Sequence, residues 1–303
     1  MYWQILVADD HRRYQRILWR FFCDQPIQEY ELNTVTYGVS SAPFLAIRTL
    51  LKLTEIEGSN FSMAVEALRT CSYVDDIVTS CVTLDSARAL KSQLIALLKL
   101  GGFELHKWRS NESKLLSSEC EIGSKSLDLD ECSTTKVLGL PWNSSQDIFS
   151  FSISAHNTQC SKRNILSDLA RIFDPLGFLS PLTLFAKRLI QQLWTCGIGW
   201  DEQLPQDIHN TWTTFKSDLP VISEISVPGS LFHPSVTNCT LHEFSDASEK
   251  GYSAVIYSRT EVDGIVHVRL VCAKAKVSPL KTISIPRLEL RGAVLLSDLF
   301  AFV

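Results

Sequence analysis

The sequence predicts an α+β protein in which short antiparallel hairpins alternate with amphipathic helices. Three observations carry this. Ser72-Tyr73-Val74-Asp75-Asp76-Ile77-Val78-Thr79 sets two acids between short apolar, β-branched runs, the pattern of a tight hairpin with carboxylates at its tip. Residues 161–219 are mostly helical in pattern. Residues 240–303 alternate like strands, turn at Asp263-Gly264, and take up a helical period after Pro286.

The chain has 303 residues, enough for two or three domains with sizeable cores. Hydrophobic content of 45% and charge of 20% are ordinary for a globular protein. A net charge of −4 gives no global basic signal, so affinity for nucleic acid would come from local patches. The nine cysteines are scattered, odd in number and without a C-x-x-C pair, which argues against a zinc site or a disulfide framework and fits a reducing compartment. No apolar run approaches the ~20 residues of a membrane span, and polar Gln4, Asp9 and Asp10 argue against a signal peptide.

Residues 1–7 read as a strand that begins abruptly, which predicts that the chain is cut from a longer one. A polar turn at residues 9–16 leads into Ile17-Leu18-Trp19, and residues 29–37 alternate as the second strand of a hairpin. Arg12, Arg13 and Arg16 suit either a solvated loop face or contact with phosphates. Gly38 suits a positive φ or a close approach to a ligand. Pro43 suits a first helical turn, with Phe44, Ile47, Leu50 and Leu51 at helical spacing behind it. A helix over residues 61–68 leads to the hairpin with Asp75 and Asp76. Asp85 is the expected cap of the next helix, with Leu90, Leu94, Leu97 and Leu98 on one side and Gly101-Gly102 at its end. Residues 109–135, rich in Ser, Glu, Asp and Lys, read as a linker. Asp174-Pro175-Leu176-Gly177 marks a turn and Pro181 opens a helix. A strand over residues 241–248 ends near Asp246. Partner strands follow at residues 252–257 and 266–273, and then a helix carries Glu289 with Ala293, Leu296 and Phe300 packed on the sheet.

Adjacent carboxylates repel and are easier to keep where a divalent cation offsets their charge. A two-metal site uses such a cluster to hold cations about 3.5–4 Å apart across a displacement at phosphorus. An exposed hairpin turn explains the same two acids, since Asp is a common turn residue.

Tyr73-Val74-Asp75-Asp76 resembles the polymerase motif of reverse transcriptases. Nearly the whole chain resembles, more narrowly, the polyprotein of BEL/Pao-type long-terminal-repeat retrotransposons. The resemblance implies partial reverse-transcriptase fingers and palm over residues 1–150, with an antiparallel sheet and helices. It implies a mainly helical thumb and connection over 151–236, and the N-terminal part of a ribonuclease-H-like α/β domain over 237–303. Tyr2-Trp3-Gln4-Ile5 is similar to the end of a motif whose Asp would lie four residues before Met1. Tyr2 would then lie under the sugar of an incoming nucleotide; as a core aromatic it needs no such role. Tyr37 and Gly38 resemble the loop beneath template and nucleotide, residues 103–108 a strand whose Lys107 is the lysine near the nucleotide phosphates, and residues 137–142 the last palm hairpin. Asp246 and Glu289 resemble half of the four carboxylates of a ribonuclease H. Asp75, Asp76, Asp246 and Glu289 are thus the implied catalytic residues and ligands of Mg²⁺ or Mn²⁺.

The resemblance implies an RNA-directed DNA polymerase, a nucleotidyltransferase joined to a ribonuclease H. Its partners would be an RNA template, a DNA primer, deoxynucleoside triphosphates and the other polyprotein segments, with no membrane. It would be cytoplasmic, within a virus-like particle, or nuclear. The absent Asp and later carboxylates make activity of these 303 residues alone doubtful. The alternative is an inactive or domesticated remnant that binds nucleic acid or protein.

Overall fold

The computed structural model describes residues 1–116, 134–152, 160–231, 236 and 238–303. Most of the expected linker at 109–135 lies outside these. The chain divides into two compact units, Met1–Leu129 and Asp130–Val303. Among the described residues, no helix is long and apolar enough to cross a membrane.

The first unit is a helical core with small hairpins on it. Its elements are α1 (Asp9–Arg12), β1 (Arg16–Trp19), β2 (Gln28–Glu31), α2 (Ala42–Glu57), α3 (Ser62–Thr70), β3 (Ser72–Tyr73), β4 (Asp76–Ile77) and α4 (Leu84–Leu100). β1 pairs antiparallel with β2, and β3 with β4. Ala46, Leu50, Ala64, Ala67, Leu68, Leu90, Leu94, Leu97 and Leu98 form the core between α2, α3 and α4.

Several local expectations are corrected. Residues 2–4 form a 3₁₀ turn rather than a strand. Tyr2 and Ile5, three apart, are both buried, which fits a period of three and not of two. Extended pairing begins only after this turn: Val35 N–H donates to the Ile5 carbonyl, Val7 N–H to that of Asn33, and Leu6 bridges Thr34. The strand expected over residues 1–7 is therefore not formed, and no ladder joins these residues to β3 or β4; instead Tyr2, Val7, Val74 and Ile77 share the helical core. The buried face of α2 is Ala42, Ala46, Leu50 and Thr54, while Phe44 and Ile47 are exposed. Small residues at i, i+4 spacing let the neighbouring helices come close. Thr83, not Asp85, caps α4, in a capping box with Ser86. Residues 103–108 join no ladder. Phe103 is buried, Lys107 turns to φ +58°, and the Trp108 ring lies 5.3 Å from Lys91 Nζ.

In the second unit β5 (Thr134–Val137), β6 (Leu140–Asn143) and β7 (Ile148–Ser150) lead to helices α5 (Lys162–Ala170), α6 (Ser180–Thr195) and α7 (Gln206–Asp218). Then come β8 (Ser226–Pro228), β9 (Cys239–Ala247), β10 (Gly251–Val262), β11 (Ile265–Val277) and α8 (Ile285–Phe300). One sheet has the order β5-β6-β7-β8, the other β11-β10-β9. β7 pairs with β8, so residues 134–150 belong with this unit and not with residues 1–129 as expected. Leu140, Phe151, Leu179, Leu219 and Ile222 close a core over that sheet. Ile165, Leu189, Leu193, Ile208 and Trp212 close another between α5, α6 and α7.

The two halves of this unit are tied together. Ala273 N–H, on β11, donates to the Leu176 carbonyl at 2.8 Å, and Gln191 Nε2 on α6 donates to the Ser278 carbonyl at 2.7 Å. Asp263 and Gly264 both take positive φ, +51° and +76°, as a two-residue turn matched to the strand twist requires.

Asp174 organises the loop ahead of α6. Its Oδ2 accepts from Leu179 N–H at 2.9 Å. Burial pushes its carboxyl above the ordinary carboxylate range, against backbone N–H groups of Leu179, Phe178 and Gly177 and the charge of Lys187, which pull it down. A carboxyl raised in the folded state favours folding below its unfolded pKa and loses that contribution as pH rises through the folded value. Asp174→Asn keeps an acceptor oxygen without the charge. It is expected to raise the melting temperature at neutral pH, with the gain vanishing at acid pH. An equal loss at both pH values would contradict this.

Candidate functional site

In the first unit, Val74 and Asp75 form the turn between β3 and β4, and Asp76 opens β4 opposite Tyr73. Val74 sits at φ +55°, a costly conformation for a β-branched residue. Val74 and Ile77 pack against the helical core. That anchorage holds the hairpin while Tyr73, Asp75 and Asp76 stay exposed.

Tyr2 is 9% exposed, within the core. Its ring meets Tyr37 edge-on, with centroids 4.8 Å apart, and Trp3 also lies against Tyr37 at 6.4 Å. The structure thus brings Tyr2 and Tyr37 together, with Tyr37 the exposed member. Gly38 has φ +86° and no protein atom within 4 Å of where a Cβ would stand, so its backbone conformation accounts for the glycine. Lys107 is exposed. The arginines near the N-terminus are engaged locally. Arg12 pairs with Asp9, Arg13 lies over Tyr14, and Arg16 pairs with Glu29 and Glu31. Hydrogen bonds to Glu31 and then Glu29 raise the Arg16 guanidinium further.

In the second unit, α8 lies across β9 and β10. Gly292 faces β9 at this contact: a Cβ there would stand 3.5 Å from Ser245 Cβ and 3.6 Å from the Asp246 carbonyl oxygen, ordinary van der Waals distances. Ser245 therefore faces α8, and alternation along β9 starts the Asp246 side chain from the other pleat. Arg291, Val294 and Asp298 on one flank of α8 line a hollow with Tyr252 and Lys276. Glu289 lies on the opposite flank by helical periodicity, towards the open edge of β9. Asp246 and Glu289 are both exposed. For one cation to reach both, their side chains must meet past the end of β9.

Ala293, Leu296 and Phe300 were expected on the sheet. The buried side of α8 is instead Leu288, Gly292 and Leu295, while Ala293 and Phe300 are exposed.

Residues 161–303 match a family model described as a Pao retrotransposon-like RNaseH-like domain. The match supports a Pao-type retrotransposon-derived polyprotein fragment. Its span begins at Ser161, the residue that caps α5, so it takes in helices α5 to α7 as well as β9 to α8. It crosses the boundary expected at 236/237, in keeping with the bonds from Leu176 to Ala273 and from Gln191 to Ser278. No curated protein gives a significant match to the chain.

The hard cations implied by the resemblance take oxygen ligands, six for Mg²⁺. Asp75 and Asp76 offer such oxygens at one hairpin tip. Among the described residues, however, no three His, Cys, Asp or Glu side chains stand together as a group able to hold a metal. The donor set is incomplete, and no metal-dependent step follows from it.

Sequence reasoning had no signal for one cluster at the start of the matched span. Lys162, 6% exposed, places Nζ 3.6 Å from the Trp194 ring centroid and 5.4 Å from that of Trp200. Arg163 beside it holds Asp201 with two hydrogen bonds of 2.7 and 2.8 Å. These contacts join α5 to the end of α6 across more than 30 residues, which local periodicity does not reveal.

Proposed function

We propose that the chain is a fragment of a retrotransposon RNA-directed DNA polymerase with an attached ribonuclease-H-like region. In this reading the first unit descends from a polymerase palm. The observation that carries it is the Tyr-Val-Asp-Asp hairpin, core-anchored with its acids exposed, upstream of a region matching a Pao retrotransposon family.

Asp75 and Asp76 are the polymerase carboxylates, and Tyr37 and Gly38 form the floor of the nucleotide site, with Tyr2 supporting Tyr37 from the core. Lys107 is the cation for phosphate. Asp246 and Glu289 are two of the ribonuclease H carboxylates. Asp75 and Asp76 would hold Mg²⁺ or Mn²⁺ only together with a further carboxylate, and an ion so held would supply Lewis-acid chemistry at phosphorus. RNA template, DNA primer and deoxynucleoside triphosphates are the ligands, and the setting is the cytoplasm, in a virus-like particle, or the nucleus. The incomplete donor set also favours a second reading, a module that binds nucleic acid or protein without catalysis.

Primer extension separates the two. The 303 residues alone are expected to show little or no Mg²⁺-dependent extension. A chimera carrying a polymerase motif segment with its Asp ahead of Met1 is expected to gain activity by about 10²-fold, the scale set by correct positioning of a reacting group. Asp75→Asn in the chimera should remove that gain. A chimera without gain contradicts the polymerase reading, and robust extension by the unaltered chain contradicts the incomplete donor set.

A further inference from the structure

We propose that the groove between α8 and β11 is a track for the phosphate backbone of a nucleic-acid strand, held by Lys274, Lys276, Arg287 and Arg291 and separate from Asp246 and Glu289. That the polyanion is a nucleic acid rests on the retrotransposon reading above; the track itself rests on where these four cations stand.

The β10–β11 ladder and the helical period of α8 bring them together. Tyr252 and Lys276 line a hollow of about 240 Å³ with Arg291, Val294 and Asp298 of α8. Tyr252 pairs with Lys276 and Ala254 with Lys274, so Lys274 and Lys276 share the face of the sheet that α8 covers in part. The register shift in this ladder falls at Ile256/Tyr257, so the alternation holds over these residues. Arg287 stands one helical turn before Arg291 on the same flank of α8. Two cations from a strand therefore border the groove on one side and two from a helix on the other. Glu289 is on the opposite flank.

The sign of the charge marks this groove. All four cationic side chains are exposed. Among the described residues none of them forms a hydrogen bond or an ion pair, whereas Arg163 and Arg259 in the same unit pair with Asp201 and Glu261. Asp298 is the acid among the residues that line the hollow. The groove is thus locally basic in a chain of net charge −4, and phosphate binding draws on such local concentrations of charge. Lysine offers phosphate a point charge and arginine a planar fork of donors. The Tyr252 hydroxyl can add a further donor.

The dimensions select a strand over an enclosed nucleotide. The hollow is smaller than the clefts of about 300–1,000 Å³ that enclose drug-sized ligands, so it suits one phosphate group of a chain that passes through. Neighbouring cations on β11 and on α8 are about 6–7 Å apart by strand and helix rise, a repeat suited to successive phosphates of an extended strand.

The test is fluorescence anisotropy of a labelled single-stranded DNA oligonucleotide with the full chain over a salt series, with circular dichroism to check folding. Wild type is expected to bind with a log–log salt slope of about −3, four phosphate contacts at about 0.7 each. The Lys276→Gln, Arg291→Gln double variant is expected to bind about tenfold more weakly, with the slope reduced by about 1.4. Asp298→Asn is expected to bind about two- to fivefold more tightly, a gain that loss of structure does not produce. The Lys136→Gln, Arg259→Gln double variant removes the same charge elsewhere in the unit and is expected to match wild type. Absence of binding by wild type, an unchanged affinity and slope in the groove variant, or an equal loss in the control overturns the proposal. Displacement by polyglutamate as effective as that by unlabelled DNA of equal charge overturns the nucleic-acid assignment and points to an acidic protein segment. Each of these outcomes is independent of primer extension by the chimera, so the groove and the polymerase reading fail separately.

Discussion

Gly177→Ala is expected to cost the second unit about 2–5 kcal/mol. Gly177 holds φ +77°, and a Cβ there would overlap the Ala273 carbonyl oxygen. The left-handed conformation contributes roughly 1–2 kcal/mol for a side chain, and overpacking a closed contact about 1–3 kcal/mol. That is a large share of the total stability of a domain, about 5–15 kcal/mol. The overlap falls where Leu176 accepts from Ala273, so hydrogen exchange should show β11 and residues 172–181 opening together. Gly264→Ala is the control. It has a similar φ of +76° and open space around it, so only the conformational cost of roughly 1–2 kcal/mol applies. Equal losses at the two positions in urea unfolding would contradict the close contact at Gly177.

Lys216→Met is expected to destabilise the same unit by about 3 kcal/mol, the lower end for breaking a buried ion pair. Asp168 on α5 has a side chain only 2% exposed. It faces Lys216 Nζ at 3.6 Å and Arg171 Nη1 at 3.7 Å. Lys216 and Arg171 keep partial access to water, so the carboxylate bears the larger penalty when the pair is broken. Asp168→Asn removes the buried charge and should cost less than Lys216→Met. The double variant should be more stable than the sum of the two losses implies. Strict additivity in thermal or urea melts would show that the two groups do not interact.

Much of the second unit was legible in the sequence, because its signals are local. The Asp263-Gly264 turn, the alternation from Tyr252 to Tyr257 and Pro286 in the first turn of α8 point to two strands and a helix within about 50 residues, and the structure extends the first strand to Gly251–Val262. The Tyr73–Asp76 hairpin was legible for the same reason. The pairing of β7 with β8 was not, since it joins residues 148–150 to 226–228 across three helices. The face of α2 was misread because alanines, not the larger Phe44 and Ile47, sit in the core. At residues 2–5 a short apolar run fits either a strand or a tight turn, and the burial of Tyr2 with Ile5 decided for the turn. Of the candidate sites, the sequence marked the residues but not their orientation. The placement of Ser245 rather than Asp246 beneath Gly292 follows from how α8 settles on the sheet.

The measurement that bears most directly on the polymerase-palm reading is Mn²⁺-induced broadening of backbone amide signals in the full chain. The account predicts broadening centred on residues 73–77, where Asp75 and Asp76 stand exposed at the tip of the β3–β4 hairpin. The broadening should be weak, as two carboxylates without a third make a poor cage, and it should vanish in the Asp75→Asn, Asp76→Asn double variant. Broadening that is absent from this hairpin, or that persists unchanged in the double variant, would contradict the claim that these two acids are a cation site.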